Sequence, residues 1–185
     1  MHFDIARPDA VRAINQRWLL KFWMRHRGLN GGAPKWQDVK PDELRRVADS
    51  VSFLDVTGEP QRFFIRAYGP GVTKLYGEDA RGRYLNDIVP RDRHDSGLMP
   101  YRHSCTTGLP VYTTLDVPDD KGRIIHFERL ILPFCGETGA VERILSAFEF
   151  VCVDGAFDDG ALNKLRNGAL KLKLCATIDI GAAGA

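Results

Sequence analysis

Between Asp9 and Arg27 the apolar residues Val11, Ile14, Trp18 and Phe22 recur at helical spacing, which predicts a helix with one apolar stripe. Pro8 precedes Asp9, which stands in the N-cap position, and Gly28 with Asn30-Gly31-Gly32 marks the end. From Trp18 to Met24 only Lys21 is polar, so the second half is apolar nearly all round. A helix with that profile is buried on more than one side. Either a sheet and a second subunit share it, or it lies in a groove. A second, short helix is expected over Asp42–Ala48, opened by Pro41.

From Ser50 onward strand and helix signals alternate. Residues 50–57 and 62–68 are strand-like and joined by Gly58-Glu59-Pro60-Gln61, hence a hairpin. Short helical segments follow at Gly71–Tyr76 and Tyr84–Val89, closed by Pro90. A longer helix is expected over Asp92–Thr107, interrupted by Gly97 and Pro100. Three strands come next, at 110–117, 124–134 and 141–151, with turns at Asp119-Asp120-Lys121-Gly122 and Gly136-Glu137-Thr138-Gly139. The pattern predicts an α+β domain with a five-stranded antiparallel sheet. In the fourth strand His126, Glu128, Leu130, Leu132 and Phe134 share one face, and Ile125, Phe127, Arg129 and Ile131 the other. Both faces are mostly apolar, so both should be covered: one by the helical excursion, the other by the N-terminal helix.

The 185 residues suit one domain with a flanking helix or tail. The expected organisation is an N-terminal helical extension over 1–49, the α+β domain over 50–153, and a partly helical C-terminal extension over 154–185. With 26 basic and 24 acidic residues the net charge is +2, which argues against a dedicated nucleic-acid binder. No apolar run approaches the ~20 residues of a membrane span, and the polar N-terminus does not read as a secretory leader, so a cytoplasmic location is expected. Cys105, Cys135, Cys152 and Cys175 form no C-x-x-C unit and read as buried hydrophobes or thiols. The five histidines are equally dispersed, and no zinc-site spacing is present.

The order of elements and several short runs resemble the PAS domain, in particular a bacterial subfamily of stand-alone PAS proteins. The runs are Leu19–Trp23, Pro41–Arg46 with Leu54-Asp55, Arg62-Phe63 with Arg66 and Gly69, and Leu75-Tyr76-Gly77. Gly82-Arg83 with Leu85, Gly108-Leu109-Pro110 and Phe127-Glu128-Arg129-Leu130-Ile131-Leu132-Pro133 complete them. The resemblance implies a helical excursion between the second and third strands of the sheet, facing a pocket for a small molecule. It also implies a sensor or adaptor without catalytic activity, a homodimer through the N-terminal helix, and output through an as yet unidentified signalling protein. It names no cofactor. Flavin-binding light sensors of the superfamily have an Asn-Cys-Arg-Phe-Leu motif, and the nearest stretch here, Arg83-Tyr84-Leu85-Asn86, has no cysteine.

Among individual residues, Arg66 and Glu128 stand inside otherwise apolar strands, where an unpaired charge is costly. Each is either a ligand anchor, half of a structural ion pair, or an edge position facing solvent. Strand parity makes Tyr68, Tyr112, His126, Glu128 and Leu130 the further pocket candidates, subject to register. Trp18, Leu19, Phe22 and Trp23 are the candidate dimer residues. The alternative is a small α+β enzyme with Glu128 or His126 as acid/base, which requires convergent groups in one cavity. His103-Ser104-Cys105 places a histidine near a thiol, but without an orienting acid.

Overall fold

Strands dominate the computed structural model, which describes residues 2–27, 32–118, 123–152 and 171–181. They are β1 (Asp4–Ala6), β2 (Val51–Thr57), β3 (Arg62–Tyr68), β4 (Val111–Pro118), β5 (Ile124–Cys135), β6 (Val141–Cys152) and β7 (Lys171–Ile178). Their order in one sheet is β1-β7-β4-β5-β6-β2-β3, antiparallel throughout except for the β1–β7 pair. The five expected strands form the block β4-β5-β6-β2-β3. The expected strand count needs correction, because β7 and β1 extend the sheet beyond β4 to seven strands. The alternation Lys171-Leu172-Lys173-Leu174 is a period-two signal for β7, whereas β1 has only three residues and exists through its pairing. Any helical part of the extension over 153–170, the helix-ending Gly28–Gly31 and the Asp119–Gly122 turn lie outside the described residues.

One face of the sheet is covered by helix α1 (Ile14–His26). Leu19, Leu20, Phe22 and Trp23 pack with Leu130, Leu132 and Phe134 of β5 and with Leu145 and Ala147 of β6. The Trp23 indole N–H donates to the Pro133 carbonyl at 2.6 Å, and the buried Gln16 amide donates to the carbonyls of Glu128 and Ala147 at 3.1 Å each. These bonds tie the helix to β5 and β6 through polar backbone that packing alone would leave unpaired. The helix starts at Ile14 and not Asp9. Residues 8–10 form a separate 3-10 turn, Val11 is drawn fully into the core, and Ala13 caps with extended backbone.

Residues Pro41–Ser50 are a 3-10 helix, not an α-helix. Its buried side chains, Leu44 and Val47, are three apart, the spacing that a 3-10 turn brings to one face. Gly69 ends β3 beneath this segment; a Cβ there would sit 2.4 Å from the Ala48 carbonyl oxygen. Pro70 then opens α2 (Pro70–Tyr76), as its missing N–H allows.

The opposite face is covered by short pieces: α2, α3 (Leu85–Ile88), α4 (His94–Gly97) and α5 (Met99–Thr107). The single helix expected over 92–107 is broken, because Pro100 occupies the first turn of α5 and a new helix has to begin there. Gly97 lies against Val89, where a Cβ would approach a methyl group to 2.6 Å.

Candidate functional site

The short helices do not fill the space between themselves and the sheet. A cavity of about 180 Å³ remains. Its floor is Leu54 of β2, Ile65 and Tyr68 of β3, Leu115 and Val117 of β4, Phe127 and Arg129 of β5 and Phe148 of β6. Its roof comes from Tyr76, Leu85, Ile88 and the Val89–Gly97 stretch, with Tyr101 of α5. The floor is apolar apart from Ser52, the Tyr68 hydroxyl and Arg129.

Arg129 is 7% exposed. Its Nε–H donates to the hydroxyl of Thr113, its register partner on β4, at 3.2 Å. One Nη donates to the Ser96 carbonyl at 2.8 Å, and the other to the Gly97 carbonyl at 3.4 Å. The guanidinium lies over the Tyr101 ring, 5.1 Å from its centroid, and the Tyr101 hydroxyl pairs with Ser146 at 3.0 Å. The cation thus joins the sheet to the end of α4. Among the lining residues the carboxylate is Glu78, which meets Arg83 at 3.3 Å. Burial pushes the Tyr68 and Tyr76 phenols far above their ordinary range, so both remain neutral hydroxyls.

Of the residues singled out from the sequence, Tyr68 lines this cavity. Tyr112, His126, Glu128 and Leu130 stand on the opposite face, which corrects their placement in the pocket. Their grouping by parity holds, but the face they share is the one under α1. The Tyr112 hydroxyl donates to Glu128 Oε2 at 2.6 Å, and burial followed by the Glu128 charge raises the phenol's pKa. Leu130 is wholly buried against α1. His126 Nδ1 pairs with Asp116, which also takes the Lys173 ammonium at 2.7 Å. Arg66 is exposed and paired with Asp55, so it anchors nothing in the cavity. Leu19, Phe22 and Trp23 are buried within this chain against the sheet, and Trp18 is partly buried.

Sequence reasoning passed over Arg129. The available signal was a cation between Phe127 and Ile131 on the face that the excursion covers. The His103–Cys105 pair carries no activated thiol. His103 stacks on Phe3 and bonds Thr177 at 2.8 Å, while burial pushes the Cys105 thiol up to about 12. Among the described residues no group of three or more His, Cys, Asp or Glu side chains is arranged to hold a metal, and no helix is long and apolar enough to cross a membrane.

A family model described as PAS domain matches residues 11–149, and the chain belongs to that family. No curated protein matches by sequence. Among solved structures, the crystal structure of a Rhodobacter sphaeroides LOV protein is similar at a TM-score of 0.45 and 14% identity, over 62% of this chain and 68% of that one. An RNA-binding light-oxygen-voltage receptor gives a TM-score of 0.41 at 19% identity, over 64% of this chain and 36% of that one. The cavity of about 180 Å³ is near the ~150 Å³ that holds one benzene ring, and among the described residues no cysteine lines it.

Proposed function

We propose that this PAS domain is a sensor or adaptor module that takes a small molecule into the cavity and signals through protein contacts. The observation that carries this reading is the unfilled space itself. Under α1 the apolar side chains pack into one cluster, yet here a pocket persists beneath a roof of helices only four to nine residues long. Short helices have little stability of their own and move when the surface beneath them changes. The enzyme alternative needs an acid/base pair converging on the cavity. His126 and Glu128 are engaged with Asp116 and Tyr112 on the other face, which favours the sensor.

Native mass spectrometry of the purified chain, with its absorption spectrum, tests the proposal. A bound small mass that disappears on denaturation, without a flavin or haem band, is the expected result. Val117→Trp, which projects a large ring into the cavity wall, should lose that mass while remaining folded. An adduct that the variant keeps would overturn the cavity as the site.

A further inference from the structure

We propose that the cavity takes a small organic carboxylate, about one ring in size, with Arg129 as its counter-charge. This inference rests on the sensor reading above and names the ligand class of the same site.

A guanidinium carries five N–H donors. The protein accepts from three of them, through the Thr113 hydroxyl and the Ser96 and Gly97 carbonyls, and the Gly97 bond is long at 3.4 Å. All three acceptors are neutral. Among the described residues no carboxylate forms an ion pair with Arg129, although the side chain is nine-tenths buried on the cavity wall. A charge removed from water without a counter-ion is costly, and the cost is offset when an anion joins it. The planar fork of arginine matches a carboxylate in particular, through two parallel N–H···O bonds.

The surroundings select further. Glu78, the carboxylate on the lining, already meets Arg83. The buried Arg129 guanidinium, held by neutral acceptors, therefore favours an anion over a cation. Leu54, Ile65, Leu115, Val117, Phe127 and Phe148 leave an apolar body as the complement to the charged head. The guanidinium also gives the ligand leverage on the roof. Its Nη atoms hold the carbonyls at the end of α4, so a carboxylate on the remaining Nη donors shares both nitrogens with that tether.

The purified full chain would be titrated with benzoate, benzyl alcohol and benzylamine, with binding followed by NMR line shifts and thermal unfolding. Benzoate should bind at least ~10-fold tighter than benzyl alcohol, the scale of one charge-assisted hydrogen bond, and benzylamine more weakly still. Arg129→Gln should abolish the preference for benzoate and leave the affinity for benzyl alcohol within ~3-fold. The comparison among probes uses the unaltered chain, so it stands even if that variant fails to fold. Benzyl alcohol binding as well as benzoate would overturn the carboxylate assignment and leave the small-molecule cavity intact. Failure of all three probes would overturn the carboxylate assignment too, and the native mass spectrum then judges the sensor reading separately.

Discussion

The two faces of the sheet are made from the same strands and are similarly apolar, yet they are finished in opposite ways. Under α1 the side chains of Leu19, Leu20, Phe22 and Trp23 meet Leu130, Leu132 and Phe134 in a packed core. Under α2–α5 the apolar side chains fall into two smaller clusters with the cavity and Arg129 between sheet and helices. The difference follows from the covers. A helix of 13 residues with aromatic side chains on its inner face can match the sheet along its length. A roof of short helices, broken at Gly97 and Pro100, cannot present one continuous surface. The α1 core and this cavity thereby lie on opposite sides of one sheet.

The strongest challenge to this contrast is Trp23→Ala. It deletes a fully buried indole and its bond to the Pro133 carbonyl, and should cost ~4 kcal/mol in urea unfolding. A loss below ~1 kcal/mol would mean that the α1 face is not the stabilising core. A matched pair sharpens the comparison. Leu132→Ala, on the packed face, should cost ~3–4 kcal/mol, and Leu115→Ala, on the cavity wall, ~2 kcal/mol, because Leu115 already has fewer neighbouring atoms to lose. Equal losses would show that the cavity is closed up in solution.

The smallest effect concerns Asp116, at the end of the α1 face. Burial acts to raise its pKa, but hydrogen bonds from Lys173 and His126 together outweigh it and hold the carboxyl below its ordinary value of 3.8. A carboxyl whose pKa is lowered on folding stabilises the native state above the unfolded value, and that contribution disappears as pH falls through the folded value. Stability should therefore decline below about pH 4 less steeply in Asp116→Asn than in the parent, by under ~1 kcal/mol, the scale of a partly exposed ion pair. Identical pH profiles in chemical denaturation would remove Asp116 from the pH response.

Much of the fold is local and therefore legible in the chain. Apolar runs bounded by turn residues mark the central strands, Pro41 marks a helix start, and the parity of β5 divides His126, Glu128, Leu130 and Leu132 from Phe127, Arg129 and Ile131. The apolar run Trp18–Met24 determined that α1 is buried on more than one side. Which surfaces cover it was decided by tertiary structure: the sheet and the segment carrying Leu44 and Val47 pack against it within the chain. The same limit applies to the site. Parity sorts side chains into two sets but carries no information on which set meets which cover, because that depends on the hand of the connections between distant elements. So Glu128 and Arg129, adjacent in sequence and both charged, were indistinguishable as candidates until the sheet was placed. The addition of β7 and β1 is likewise non-local, since three residues at the N-terminus become a strand only when Lys171–Ile178 supplies the hydrogen bonds.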